Sequence, residues 1–354
     1  MKGILLHAGH GTRLRPLTHT GPKQLLPIAN RPMSEYCIES MRDAGIEEIA
    51  IIVGGNGMNK VIDYYGMGEK FGVKITYIEQ DYPRGISHAI RLCKDFIKNE
   101  KFLVFLGDNI IQKSIKEFVK KFQDSGDDAS IFLCEVENPT RFGIADIKDG
   151  KLAKIMEKPK NPPTNLAVTG IYLLTPRIFD IIDNLKPSWR NELEITDALQ
   201  MMLEKNCTIT YNMITDYWKD TGTPSDIINA NRVILKSLHP SMNGILEAGS
   251  KIQGNVIIGK STIIKNGCQV VGPVIIGENC VIENNSYIGP NTSIGDNSKL
   301  SSCKVEDSII MSNCQIIGNF RIKDSIIAYN CELVFTEKSD NTIFLLGEGT
   351  KISL

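Results

Sequence analysis

The sequence of 354 residues lacks any surplus of positive charge: 40 Lys and Arg stand against 41 Asp and Glu, a formal net charge of -1. A broad nucleic-acid surface needs that surplus to release counterions, so the class is excluded and any anion must be held by a local site. Long apolar runs are also missing, and none approaches a membrane span. The opening Met1-Lys2-Gly3-Ile4-Leu5-Leu6 turns polar at His7, too early for a secretory leader, and reads as a buried first strand. Histidine is scarce: the five are His7, His10, His19, His88 and His239. The nine cysteines are odd in number and show no zinc-ligand spacing, which predicts buried, reduced thiols in a cytoplasmic protein.

What is present falls into two patterns, and the length itself predicts two domains. Residues 1–240 alternate strand-like and helical runs, as expected for an α/β, Rossmann-like domain with a mostly parallel sheet. Strands are expected at Gly3–Leu6, Glu48–Val53, Val73–Ile78, Phe102–Leu106, Ala129–Glu135, Gly143–Ile147 and Ala167–Leu174. Helices are expected from an N-cap at Ser34 to a C-cap at Gly45, and over Ser87–Ile97, Ile115–Phe122, Pro176–Asn184, Glu194–Glu204 and Ser225–Leu238. His239-Pro240-Ser241 marks a boundary.

In residues 241–354 the period changes. Ile252, Ile258, Ile264, Val270, Ile276, Ile282, Ile288, Ile294 and Leu300 recur every six residues. Three places after each comes Asn255, Ser261, Gly267, Pro273, Asn279, Asn285, Asn291, Asn297 or Cys303. One inward aliphatic per short strand followed by a turn residue describes a coil of parallel strands around a narrow core. The register slips after Leu300 and resumes at Ile310, Ile316 and Ile322. No His follows His239, so acyl transfer from the coil is not expected, and the coil reads as stabilising or oligomerising.

Three constellations carry chemistry. The first strand runs into Gly9-His10-Gly11-Thr12-Arg13-Leu14-Arg15, followed by Pro22-Lys23-Gln24-Leu25. A glycine loop after a strand can aim N–H groups at phosphates, with Arg13 and Lys23 as fixed cations; alone, the glycines are only a turn. Next, Asp108 ends the apolar strand Phe102–Leu106, and Asp220 follows Trp218-Lys219. Each alone could be a turn former, but as a pair they suit a hard cation that also takes phosphate oxygens. Last, Glu157-Lys158-Pro159 ends a strand, where Lys158 could hold a phosphate or merely a surface ion pair.

Together, Gly11-Thr12-Arg13-Leu14-Arg15-Pro16-Leu17-Thr18, Pro22-Lys23-Gln24-Leu25, Leu106-Gly107-Asp108-Asn109, Glu157-Lys158-Pro159, Val168-Thr169-Gly170-Ile171-Tyr172 and Trp218-Lys219-Asp220-Thr221-Gly222 resemble the sugar nucleotidyltransferases. Within them the chain is most similar to the long-form glucose-1-phosphate thymidylyltransferases with a hexapeptide coil. The resemblance implies a left-handed parallel β-helix after the catalytic domain. It implies that Arg13 and Lys23 bind the triphosphate, and that Leu6, Gly9, Gly11, Thr12, Gln24, Gln80, Pro83, Gly85 and Asp108 surround the nucleotide. Gly143, Glu157, Lys158 and Val168 would hold the sugar phosphate, and Asp108 and Asp220 would bind Mg2+. The implied substrates are dTTP, with UTP as an alternative, and a sugar 1-phosphate. A homo-oligomer through the coil is also implied.

One departure stands out. The family usually reads Leu-Ala-Gly-Gly where this chain has Leu6-His7-Ala8-Gly9. His7 is expected to pack beneath the loop, and His10 to be solvated. Pro-Lys-Gln favours a thymidylyl member over uridylyl, guanylyl or adenylyl ones. A non-catalytic regulatory homologue would have lost charged residues that are present here.

Overall fold

The computed structural model describes residues 1–9, 11–55, 57–283, 285–336 and 339–353; His10, expected to be solvated, lies outside them. In chain order the strands before the coil are β1 (Lys2–Leu6), β2 (Pro27–Ile28), β3 (Arg31–Pro32), β4 (Glu48–Val53), β5 (Lys74–Glu79), β6 (Phe102–Leu106) and β7 (Asn109–Ile111). They continue as β8 (Ala129–Glu135), β9 (Gly143–Lys148), β10 (Lys151–Glu157), β11 (Leu166–Leu174), β12 (Ile209–Met213) and β13 (Trp218–Asp220). The helices are α1 (Met33–Asp43), α2 (Met58–Tyr65), α3 (Ile86–Leu92), α4 (Lys94–Ile97), α5 (Lys116–Asp124), α6 (Arg177–Ile182), α7 (Ile195–Glu204) and α8 (Pro224–Ser237).

The chain forms two compact units, interleaved in sequence: Met1–His10 with Ser34–Asp220, and Gly11–Met33 with Thr221–Leu354. The first is a Rossmann-like nucleotidyltransferase fold. Its sheet runs β10-β9-β11-β6-β1-β4-β5, with β8 joined to β11 and β12. The stretch β6-β1-β4-β5 is parallel, with Leu6 in register with Leu106 on one side and Ile52 on the other. Of these, β1, β4 and β6 are near-continuous apolar runs, as strands covered on both faces require, whereas the edge strand β5 is mixed. Antiparallel β11, β9 and β10 extend it. Ile4, Ala50, Val104, Ile131, Tyr172 and Leu199 meet in one buried core.

Two local expectations are corrected. Ser34 is not a cap: α1 begins one residue earlier, and the buried Ser34 hydroxyl lies 2.6 Å from Tyr65 Oη. Gly45 does close that helix, at φ 83°, where a Cβ is disfavoured. The run Ser87–Ile97 is two helices, because Cys93 leaves helical geometry at φ -88°, ψ 5°. Among the described residues no helix is long and apolar enough to cross a membrane.

In the second unit, three parallel sheets stack coil upon coil as a left-handed parallel β-helix. Val256 pairs with Val274 and Ile263 with Val281, one 18-residue turn apart. Ile258, Ile264, Val270, Ile276, Ile282, Ile288, Ile294 and Leu300 are fully buried. The slip after Leu300 resolves into two five-residue steps, with Val305 inward between Leu300 and Ile310. Left-handed turn residues explain the count. In most six-residue steps, those from Ile252 and Val270 apart, the third residue after the aliphatic takes positive φ, as at Ser261, Asn279, Asn285, Asn291 and Asn297. In the five-residue steps Ser302 and Asp307 do so, one place earlier. Asn255, Pro273 and Cys303 do not take this left-handed turn conformation; Gly254 and Ser302 do so in place of Asn255 and Cys303. Cys268, Cys280, Cys303, Cys314 and Cys331 fill small core positions, and all nine thiols are free.

Candidate active site

In the first unit, β7 and β13 form a two-stranded ribbon with Asp220 directly opposite Asn109. Asp108 precedes β7, so the ribbon brings both predicted carboxylates together although 112 positions separate them in sequence. Asn109 organises the corner. Its Nδ2 donates to Asp108 Oδ1 at 3.1 Å. Its Oδ1 accepts the Trp218 indole N–H at 2.8 Å and the Gly170 N–H at 3.2 Å. Gly170 is required there, since a Cβ would lie 2.7 Å from Asn109 Nδ2. Sequence reasoning quoted Asn109 within a motif without giving it a role; a buried amide beside a candidate ligand was the available signal.

Glu157 and Lys158 end β10. Lys158 holds φ 41° immediately before Pro159, a position normally pushed to extended backbone. Its N–H donates to Phe142 O at 3.1 Å, which secures a conformation costing about 1–3 kcal/mol. The Lys158 ammonium lies 3.1 Å from Glu157 Oε1. Arg190, which sequence reasoning missed, reaches the same oxygen at 3.4 Å and Glu194 Oε1 at 3.3 Å. Thr196 Oγ1 donates to Glu157 Oε2 at 2.9 Å. Burial, then the charge of Glu157, raises the Glu194 and Asp197 carboxyls. Gly143 admits this cluster: a Cβ would meet the Thr196 methyl at 2.4 Å. Val168 packs into the core, and β11 shifts register against β8 between Val168 and Tyr172.

The nucleotide candidates of this unit lie on two features. Leu6 closes β1, with Gly9 beyond it at φ 131°. Gln80 follows β5 and is buried; its Nε2 lies 2.8 Å from His88 Nδ1. An amide nitrogen only donates, so that ring nitrogen accepts. The loop through Pro83 ends at Gly85, φ 98°, where a Cβ would strike the Leu193 backbone at 2.5 Å. Leu193 N–H donates to Arg84 O at 2.8 Å, tying this loop to the segment that carries Arg190. His7 is buried as expected, edge-on to Tyr65 with ring centroids 5.8 Å apart. Among the described residues neither of its ring nitrogens finds a hydrogen-bond partner. Burial pushes its imidazole down to about 3, against the opposing pull of Asp108.

In the second unit, Gly11 takes φ 57° and its carbonyl accepts the Thr18 hydroxyl at 2.9 Å. Thr12–Leu14 form a 3-10 turn that leaves Thr12 and Arg13 exposed. The Arg13 guanidinium lies against Gly222, where a Cβ would sit 3.0 Å from Nη1. Lys23–Leu25 form a second 3-10 turn after Pro22, with Lys23 half-buried and Gln24 buried.

Among the described residues no group of three or more His, Cys, Asp or Glu is arranged to hold an ion alone. A magnesium ion does not need one: one or two carboxylates plus phosphate oxygens and water are its usual set, and the Asp108 and Asp220 ribbon fits that donor chemistry.

A family described as Nucleotidyl transferase matches residues 2–237, and the GMPPB C-terminal domain matches residues 270–353. The low-salt glycan biosynthesis nucleotidyltransferase Agl11 of Haloferax volcanii is 45% identical over 262 residues, 74% of this chain and 73% of that protein. A glucose-1-phosphate thymidylyltransferase of Streptomyces griseus is 38% identical over 259 residues, 73% of each chain. A crystal structure from Bacillus anthracis, assigned as a glucose-1-phosphate thymidylyltransferase and complexed with sucrose, is 40% identical with TM-score 0.64, covering 68% of this chain and 98% of that one. The carboxylate ribbon, the Glu157 cluster and these matches agree: the chain belongs to the nucleotidyl transferase family, as a sugar nucleotidyltransferase with a hexapeptide coil.

Proposed function

We propose that this enzyme condenses dTTP with glucose 1-phosphate to give dTDP-glucose and pyrophosphate. The observation that carries the nucleotide choice is Gln24, buried in the turn immediately after Lys23 in the thymidylyl pattern Pro-Lys-Gln. The Streptomyces griseus relative, named for that activity, supports it.

Glu157 would accept sugar hydroxyls, with Gly143 and Val168 lining the sugar, and Lys158 would hold the sugar phosphate. That phosphate is already ionised at neutral pH, so it needs no general base. Its oxygen attacks the α-phosphorus of the triphosphate; the new P–O bond forms as the bond to the β-phosphate oxygen breaks. Arg13 and Lys23 would take up charge on the departing pyrophosphate. Asp108 and Asp220 would hold Mg2+, which when bound neutralises phosphate charge. Leu6, Gly9, Gly11, Thr12, Gln24, Gln80, Pro83 and Gly85 would bound the nucleotide. Residues 1–240 would carry this chemistry in the cytoplasm, with residues 241–354 stabilising the enzyme or joining copies.

UTP is the second reading. The pocket must tell thymine from uracil by one methyl, worth about 1–3 kcal/mol. Pyrophosphate release, measured with dTTP, UTP, GTP and ATP against glucose 1-phosphate and other sugar 1-phosphates, tests both readings. A kcat/KM for UTP above that for dTTP refutes the thymidylyl reading; release with none of them refutes the catalytic one.

A further inference from the structure

We infer that Asn231 is a positioning residue for triphosphate use, through which the repeat coil holds the loop that carries Lys23. The inference rests on the reading that Lys23 binds the triphosphate.

All the residues concerned lie in the second compact unit. Asn231 sits on α8 and is fully buried. Its Oδ1 accepts two hydrogen bonds, from Ala29 N–H at 2.8 Å and from the Ser293 hydroxyl at 2.6 Å. Its Nδ2 donates to Asn291 O at 3.2 Å. Ser293 and Asn291 belong to the coil, whereas Ala29 belongs to the segment following Lys23. One side chain therefore joins α8, the coil and that segment. The next residue repeats the connection: Asn30 Nδ2 donates to the carbonyl of Ile294, itself an inward residue of the coil, at 2.6 Å.

The segment needs an outside hold. Ala29 and Asn30 form the two-residue turn between β2 and β3, and both take positive φ, 49° and 64°. Such turns favour Asn and Gly; alanine has no side-chain oxygen to support that conformation. From the turn a hydrogen-bonded ladder leads back to the cation. Met33 N–H donates to Leu26 O at 3.1 Å, and Leu26 N–H donates to Lys23 O at 3.0 Å. The backbone of Lys23 is thus fixed through a hairpin pinned to the coil. The Arg13 side of the same segment also meets the coil, where a Cβ at Gly347 would lie 3.2 Å from Pro16 Cβ. The coil therefore supports the phosphate-handling segment in addition to stabilising the chain.

A purely structural role would lower stability without discriminating between substrates, and that difference is the test. Steady-state kinetics on the intact chain, with triphosphate and sugar 1-phosphate varied in turn, compare Asn231→Ala, Asn30→Ala, Lys23→Ala and Arg232→Ala. Arg232 is the control: it binds Asp307 of the coil at 2.9 Å and, among the described residues, has no bond to Ala29 or Asn30. Asn231→Ala should raise the triphosphate KM roughly tenfold while the sugar-phosphate KM stays within about twofold; Arg232→Ala should leave both within about twofold. Asn30→Ala, which leaves α8 intact, should shift the triphosphate KM in the same direction and decides the matter if Asn231→Ala fails to fold. An unchanged triphosphate KM in a folded Asn231→Ala or in Asn30→Ala, or equal rises for both substrates, overturns the inference while Lys23→Ala remains impaired. If Lys23→Ala itself leaves the triphosphate KM unchanged, the reading of Lys23 fails first, and the inference falls with it.

Discussion

Trp218 Nε1 donates to Asn109 Oδ1 at 2.8 Å, a side-chain bond that adds to the strand pairing holding the strand that ends in Asp220 beside the turn carrying Asp108. Asn109 also donates to Asp108 and accepts from the Gly170 N–H, so three partners meet on one amide. Removing the amide and removing only the indole N–H should therefore differ. Asn109→Ala is expected to cost about 2–4 kcal/mol of stability, as buried partners lose their bonds. It should also cut kcat/KM roughly a hundredfold through misplacement. Trp218→Phe should cost about 1 kcal/mol and leave turnover within about threefold. Urea unfolding and steady-state rates on the two variants check this; equal catalytic losses would contradict it.

If Asp108 and Asp220 hold Mg2+ as proposed, Asp108→Asn and Asp220→Asn should each reduce turnover by roughly a hundredfold or more with Tm nearly unchanged, because each would remove a charged oxygen ligand of a hard cation. Magnesium titration of the rate reads the effect directly. Either variant with near-normal magnesium dependence would disprove the pair as the metal site.

Lys158 combines a charge with a strained backbone at φ 41°. Lys158→Ala loses the charge and keeps the strain, whereas Lys158→Gly loses both. Both should raise the KM for sugar 1-phosphate, and the glycine variant should be the more stable of the two by about 1 kcal/mol. Thermal unfolding of the pair settles the sign.

His7 provides a pH signature. Burial lowers its imidazole from 6.5 to about 3, so between those values the unfolded chain binds a proton that the folded chain refuses. The stability linked to neutral His7 is fully present above pH 6.5 and is lost as pH falls towards 3, at about 1.4 kcal/mol per unit for this one group. His88, lowered mainly by desolvation, acts in the same direction. Urea midpoints between pH 5 and pH 7 should fall less steeply for His7→Ala than for the native chain. Parallel curves would mean that His7 titrates normally in the fold.

The central parallel strands were legible because a strand covered on both faces must be apolar, and the runs from Ile49 to Val53 and from Phe102 to Leu106 are. The coil was legible because its period is a local repeat: each turn closes after a fixed count, so an aliphatic every six residues marks it. The sequence pattern lost it where the step shortened to five residues, since Val305 becomes recognisable only once Tyr287 is seen paired with Lys304 and Ile288 with Val305. Ser34 was misplaced because a serine before an apolar run looks like a cap, while packing against Tyr65 made it a core residue.

The sequence by itself determined the two periods, the glycine loop, the separate motifs around Asp108 and around Asp220, and the Glu157-Lys158-Pro159 corner, each of which is contiguous in the chain. Only the tertiary structure decided that Asn109 binds Trp218, that Arg190 joins Glu157, and that Ala29 and Ser293 share Asn231. The physical reason is that a repeat or a motif is written in neighbouring residues. A hydrogen bond between residues 109 and 218, or 29 and 231, depends on how the strands and coils close, and no local spacing encodes it.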